Sequence, residues 1–141
     1  MINRKTTYLK ITTLQEIFFE GPVKSVTLRT KAGGAICLQP NRTPFFSTID
    51  ICELTINTPR DKDYKICSIG GGLVYADASN INIITDDIIF GKNINIERAK
   101  IDRDFALAQL EKFRDTKEEV QYEIKLRKAL NRIDVYNRNN N

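Results

Sequence analysis

Phe90-Gly91-Lys92-Asn93-Ile94-Asn95-Ile96-Glu97-Arg98-Ala99 is the stretch on which the fold is decided. Before it the chain is written in short β-branched segments broken by turn residues. After it the pattern is helical. Asn93 or Asn95 can cap a helix by accepting backbone N–H bonds, and from Ile96 to Phe113 there is neither Gly nor Pro. At 100° per residue, Ala99, Ala106, Leu110 and Phe113 share one face, while Ile101, Phe105 and Ala108 lie nearly opposite. A helix apolar on two sides calls for two packing partners. One is expected to be the next helix, the other the preceding domain or another chain.

That next helix is expected from Lys117 to about Tyr136. Thr116-Lys117-Glu118-Glu119 has the form of a capping box, with Thr116 as cap and Glu119 reaching back. Tyr122, Leu126, Ala129, Leu130 and Ile133 form an apolar stripe. Acidic Glu118, Glu119 and Glu123 precede basic Lys125, Arg127, Lys128 and Arg132, the order a helix dipole favours. The connection at Arg114-Asp115 is short enough to force an antiparallel hairpin. Asn137–Asn141 reads as a polar, frayed tail.

Toward the N-terminus, the expected strands are Tyr8–Thr12, Ile17–Phe19, Val23–Leu28, Ala35–Leu38, Ile49–Asn57, Tyr64–Ile69, Leu73–Ala76 and Ile81–Thr85. Glu20-Gly21-Pro22 closes the second, and Lys31-Ala32-Gly33-Gly34 forms a hairpin turn. Thr58–Asp63 is a polar loop. Many short strands without an intervening helix predict an antiparallel sandwich or barrel, and the sandwich is the expectation taken forward. The expected organisation is therefore α+β and mainly β, with a β-sandwich over residues 1–90 and a helical hairpin over 91–141.

Composition removes several function classes. Among 141 residues there is no His and no Trp, so His-dependent nucleophilic catalysis is excluded and the commonest metal ligand is missing. The net charge is +4, with 10 basic and 9 acidic residues before Gly91 and 12 and 9 from there on. That surplus, without a recognised motif, predicts no nucleic-acid partner. No apolar run is long enough to span a bilayer and no leader pattern follows Met1; the expectation is a cytoplasmic protein. Cys37, Cys52 and Cys67 are read as reduced thiols buried on strands. Gly70-Gly71-Gly72 lacks the Lys-Ser/Thr of a phosphate loop and is read as a strand turn or bulge. Asp86-Asp87 has no third ligand nearby and is read as a solvated loop end.

Local sequences then add a resemblance that covers nearly the whole chain. Phe19-Glu20-Gly21-Pro22-Val23-Lys24-Ser25-Val26-Thr27-Leu28 resembles the "FEG-x-V-x-S-V-x-L" segment of epsilon subunits of F-type rotary ATPases. Gly70-Gly71-Gly72-Leu73-Val74 is similar to that family's "GG-F/L-V" strand start, and Ile81–Asp86 to its "V-T-V-L-A-D" strand. Ile94–Ala99 and Leu126–Ile133 are similar to its two helices. The resemblance implies a non-catalytic central-stalk subunit, peripheral to the inner face of the membrane as part of a complex. Its sandwich would bind a gamma-like shaft and couple rotation. Its hairpin would reach the alpha and beta catalytic subunits and inhibit ATP hydrolysis.

Three sets of residues carry the site expectations. The first is the loop that in the family faces a membrane rotor ring, "L-P-G-H-A-P-L-L". Here it reads Leu38-Gln39-Pro40-Asn41-Arg42-Thr43-Pro44-Phe45-Phe46. Pro44 matches, the Gly and His do not, and Asn41, Arg42, Thr43, Pro44, Phe45 and Phe46 are the candidate contacts. Phe45-Phe46 reads either as one core ring and one surface ring, or as an apolar docking loop. The second set is the "I/L-D-x-x-R-A" nucleotide motif, matched by Ile94, Asn95, Arg98 and Ala99 with Arg132 from the second helix. Asn95 stands for the Asp, and Phe105 for another arginine. One cation fewer beside a triphosphate costs about 2 kcal/mol, charge-assisted bonds being worth roughly 1.5–3 kcal/mol. No cofactor is expected, and ATP is an unfavoured ligand. The third set is Lys125, Lys128 and Arg132, a basic helix face that is either solvated or a grip on acidic catalytic subunits.

The altered ring-side loop leaves two motors open: a proton-driven synthase, or a specialised paralogue not coupled to a proton ring. A rival from another class is a stand-alone β-sandwich binding module with the hairpin as an oligomerisation device.

Overall fold

The computed structural model describes residues 3–141; Met1 and Ile2, the start of the expected sandwich segment, lie outside the described residues. Eight strands precede two helices: β1 (Thr7–Thr12), β2 (Ile17–Val23), β3 (Val26–Thr30), β4 (Gly34–Leu38), β5 (Phe45–Ile56), β6 (Lys65–Ala76), β7 (Asn80–Ile84), β8 (Ile88–Phe90), α1 (Ile96–Lys112) and α2 (Glu119–Asn139). The strand order is β2-β1-β7-β6-β5-β3-β4, with β8 added beside β6. All pairs among the described strands are antiparallel, as expected of the sandwich, except β1 with β7, which is parallel.

Two long strands make the sandwich out of this sheet. In β5 the inward residues are Ile49 and then Cys52, Leu54 and Ile56; in β6 they are Cys67 and Ile69, then Val74 and Ala76. The parity of burial changes at the same level in both, where Ile49 faces Gly72 and Ile51 faces Gly70. A strand that keeps its partner while swapping its buried face has coiled from one layer to the other. Gly71, at φ 99°, sits at the bend, in the left-handed region that glycine enters without a Cβ penalty. The C-terminal half of β6 pairs with β7, and the N-terminal half with β8. The glycine run is therefore a bend within one continuous strand, where two strands were expected.

The core is built from the inward faces: Leu9, Ile11, Val26, Leu28, Leu38, Ile49, Leu54, Ile56, Ile69, Val74, Ile81 and Ile83 are its large fully buried members. All belong to strands. At about 25 cal/mol per Å² of buried apolar surface, this cluster is the dominant favourable term of folding. Cys52 and Cys67 are buried as expected, and burial pushes the Cys67 thiol up to about 12. Cys37 is exposed, because it lies on the outward face of the edge strand β4. Expected strand Val23–Leu28 is two strands, broken at Lys24-Ser25. β2 instead runs on through Gly21 and Pro22, which an edge strand tolerates because it has a side without ladder bonds.

The Thr58–Asp63 loop is polar as expected and is tied down by one carboxylate. Asp61 accepts from Lys24 Nζ at 2.8 Å, from the Thr58 backbone N–H at 2.8 Å and from Thr58 Oγ1 at 2.8 Å. The Lys24 ammonium first, and then the Thr58 donors, hold the Asp61 carboxyl down at about 2. A free aspartate titrates near about 3.9, so the stabilisation from this carboxylate is fully present above about pH 4 and is lost as pH falls through about 2. Urea unfolding midpoints should drop more steeply between these limits for the native chain than for Asp61→Asn. Parallel pH profiles would remove Asp61 from the account.

The helices differ from expectation at their ends. Asn95 is the cap of α1, its Oδ1 accepting from the Arg98 N–H at 3.1 Å. The capping box does not form: Thr116 Oγ1 donates to the Phe113 carbonyl at 2.6 Å, closing the turn after α1, and Glu119 Oε2 accepts from the Asp115 N–H at 3.3 Å. Asp115 adopts φ 63°, and that tight reversal takes the hydroxyl the cap required. α2 continues to Asn139, with the Asn140 amide donating to the Tyr136 carbonyl, so the expected frayed tail is mostly helix.

Candidate functional site

The hairpin lies folded against the sandwich through α2, while α1 packs on α2. The face of α2 turned to the sheet carries Arg127, Asn131, Val135 and Arg138, spaced four, four and three residues apart as one helix face requires. Arg127 Nη2 donates to Asp50 Oδ1 at 2.8 Å. Asn131 Nδ2 donates to both the Cys52 carbonyl at 2.7 Å and Ser68 Oγ at 2.9 Å. Val135 joins Ile66 and Ile94 in a small second apolar cluster, flanked by Tyr64, Ile89 and Tyr136. Arg138 Nε lies 3.1 Å from Glu53 Oε1.

Asp87 is the centre of this contact. Arg132 Nη2 donates to Oδ1 at 2.8 Å, and Lys128 Nζ lies 3.5 Å from Oδ2. Its place is cut into the sheet: the Asp87 carbonyl accepts from the Gly70 N–H at 2.7 Å, and a Cβ on residue 70 would lie 2.5 Å from Asp87 Oδ2. This corrects the reading of Asp86-Asp87 as a solvated loop end; Asp87 is a half-buried anchor for two helix cations. No local signal marks it, since its partners stand more than 40 residues away. Asp50 is a second such anchor. Burial works against its charge, but the hydrogen bond from Arg127, with the Ile51 N–H, outweighs that and leaves its carboxyl below the usual range.

The residues of the nucleotide motif do come together. Ile94, Asn95, Arg98, Ala99 and Arg132 line one groove with Asp87 and Asp102, and Arg98, Phe105, Lys125, Lys128 and Arg132 line its continuation of roughly 530 Å³. Three of the four cations in this lining already face carboxylates, two of them sharing one. Arg98 pairs with Asp102 at 3.2 Å, and Lys128 and Arg132 share Asp87; Lys125 Nζ lies over the Tyr122 ring at 5.3 Å. A triphosphate entering here competes with two carboxylates, which adds to the sequence argument against ATP. Two of the three residues of the expected basic face are thus turned to the sandwich in this conformation.

The second apolar side of α1 is left largely open among the described residues: Ile101 and Phe105 are more than half exposed, and Ala108 is exposed. Tyr122 fills the inter-helix space, stacked on Phe113 at 5.5 Å and edge-on to Phe105 at 6.4 Å. In the loop between β4 and β5, Asn41 (φ 68°) binds Arg4 through both backbone groups of that residue. Arg42 lies 4.9 Å over the Phe45 ring. Phe45 packs on the core, whereas Phe46 is exposed.

A family model described as the ATP synthase delta/epsilon chain beta-sandwich domain matches residues 6–91. The "ATP synthase epsilon chain" of Mycoplasmopsis pulmonis is 43% identical over 128 residues, covering 90% of each chain. The chain belongs to the epsilon chains of ATP synthase. That of Mycoplasma mobile is 39% identical over 96% of each chain, so the likeness to this family extends through the hairpin. The fold also matches a chain in the solved Euglena gracilis mitochondrial ATP synthase, OSCP/F1/c-ring, with TM-score 0.73 and 20% identity over 88% of this chain and 77% of that one. A chain of the Tetrahymena thermophila mitochondrial ATP synthase central stalk/c-ring gives TM-score 0.56 at 16% identity over the full length of both. As an epsilon chain the protein is an accessory subunit that carries no catalytic chemistry of its own. Among the described residues no helix is long and apolar enough to cross a membrane.

Proposed function

We propose that the sandwich is the shaft-binding head of this central-stalk subunit, and that it docks through the outer face of β5, β6 and β7. The observation that carries this is a patch of large apolar side chains facing outward from paired strands. Leu73 and Ile84 are direct cross-strand partners, as are Phe46 and Tyr75. All four are 40% or more exposed, and Leu14, at 86%, lies beside Ile84. Outward apolar residues scattered singly need no explanation, but neighbours in register make a continuous contact surface. Torque transfer needs a rigid contact, and a face of hydrogen-bonded strands supplies one. The partner of this face is the gamma-like shaft. Phe46 extends the patch toward the Asn41–Pro44 loop, and on this reading the candidate ring contacts border it.

The hairpin has the opposite character: small buried residues, polar ties and an open apolar side on α1. It is the regulatory part, offering Ile101, Phe105 and the cations of α2 to the alpha and beta subunits. The subunit works at the inner face of the membrane within the assembled motor. Against a stand-alone module stands the match of relatives over 90% or more of their own length.

Purification of the chain from its own cell under mild conditions should retain a gamma-like coiled-coil subunit in 1:1 ratio, with alpha and beta subunits. A homo-oligomer free of ATPase subunits would overturn the reading. Whether ring subunits also remain bound separates a proton-driven synthase from a motor without a ring.

A further inference from the structure

The hairpin is held on the sandwich mainly by ion pairs along α2. Three sheet carboxylates, Asp50, Asp87 and Glu53, each face cations of α2: Arg127, then Lys128 with Arg132, then Arg138. Apolar burial is confined to one end. Ile66, Ile94 and Val135 cluster where the chain leaves the sheet and where α2 finishes. Toward the far end, at the turn after Phe113, the hairpin's own buried residues are Ala106 and Ala129, and they pack helix on helix. Arg127–Asp50 is the tie to the sheet nearest that far end. The arrangement is a pivot at the Ile94–Val135 end and a set of charges along the arm.

We propose that Asp87, seated against Gly70, is the keystone of an electrostatic latch that holds the hairpin down. The proposal rests on the hairpin being the movable part, and is independent of which partner receives it. Each pair alone is a weak tie, because a half-exposed ion pair gains little over its hydration. Four cations on three carboxylates along one face act together and are released together when the charges are screened. The Debye length falls from about 10 Å at 0.1 M salt to about 3 Å at 1 M, so ionic strength is the natural lever. The same design makes a polyanionic surface, such as an acidic patch of a neighbouring subunit, a competitor for Lys128 and Arg132 and hence a release signal. Once lifted, the arm loses its packing surface and frays, since a pair of helices with so small a shared core is marginal alone.

The latch is tested on the isolated full-length chain with spin labels on native Cys37 and on a cysteine placed by Lys117→Cys in the inter-helix turn; Cys52 and Cys67 are buried and stay unlabelled. At about 0.02 M NaCl a single narrow inter-label distance is expected, and at about 0.5 M more than half of the population should move into a broad, longer component, while hydrogen exchange of the strand amides stays unchanged. Asp87→Asn should give the broad distribution at low salt. Gly70→Ala, which keeps the charge but displaces the carboxylate, should do the same. If either sheet variant folds poorly, Lys128→Gln with Arg132→Gln leaves the sandwich untouched and should also broaden the distance. A narrow distance in the native chain at both salt levels, or in the helix variant at low salt, overturns the latch. Neither result bears on shaft binding, which co-purification reads separately.

Discussion

Tyr75→Asp is expected to abolish co-purification of the chain with its shaft while leaving the sandwich folded. Tyr75 lies at the middle of the outward patch, opposite Phe46 on β5 and Asn82 on β7. It is 43% exposed, so the new carboxylate remains hydrated in the free subunit and the fold pays little. Surface substitutions of this kind usually fall within about 0.5 kcal/mol of neutral stability. In the docked state the same carboxylate would be trapped against an apolar surface without a counter-ion. Aromatic anchors at interface centres typically cost about 2 kcal/mol or more when truncated, about thirtyfold in affinity, and a buried unpaired charge adds to that. Lys10→Asp, on the neighbouring strand β1 and in register with Asn82, changes charge by two units at the patch margin and should weaken binding far less. Equal loss from both substitutions would point to long-range electrostatics in place of apolar docking. Undiminished binding by Tyr75→Asp would move the shaft contact to another face.

The contrast between that face and the core shows how much of the fold was legible in the sequence. The strand segments holding Val26 and Leu28, or Cys52, Leu54 and Ile56, were readable because period-two alternation is a local property, and those residues are buried. The change of texture at Gly91 marks the start of the helices for the same reason. What was not legible depends on distant partners. Gly70-Gly71-Gly72 has turn composition, yet it is strand because β5 supplies a continuous ladder opposite it. Gly21-Pro22 has breaker composition, yet β2 survives on the sheet edge. β8 is three residues long and exists only beside Cys67–Ile69. The parallel pairing of β1 with β7 is a matter of topology that no window of sequence contains. The site follows the same division. A cap at Asn93 or Asn95 was readable from position, and the structure uses Asn95; the nucleotide-motif residues line one groove. Asp87 was not readable, because its meaning comes from Lys128 and Arg132, two helix cations that the hairpin lays across the sheet. The missed clue was a demand, not a motif: basic residues four apart on a face next to the apolar stripe need either water or a carboxylate, and the sequence does not say which.

A substitution in the core should show that the two halves are unequal partners in stability. Ile69→Ala removes a fully buried side chain of β6, next to the bend and opposite Cys52 and Ile88. Such a truncation costs about 2–5 kcal/mol, from lost transfer energy and the cavity left behind. That is a large share of a total stability of about 5–15 kcal/mol, and a drop in melting temperature of several degrees is expected. The helices should be lost in the same transition. The large core cluster holds no residue beyond Phe90, whereas the fully packed residues of α1 and α2 are Ala99, Ala106, Ala129 and Val135. Burying alanines returns little apolar area to offset the ordering of two helices. Hydrogen exchange followed by peptide should therefore show helix amides exposed at or below the strand transition, in native and mutant chains alike. A segment covering residues 3–90 should stay folded alone, and one covering 91–141 should be largely unstructured. Helix protection that outlasts the strands would mean the hairpin carries its own stability, and the sandwich would then be the guest and not the host.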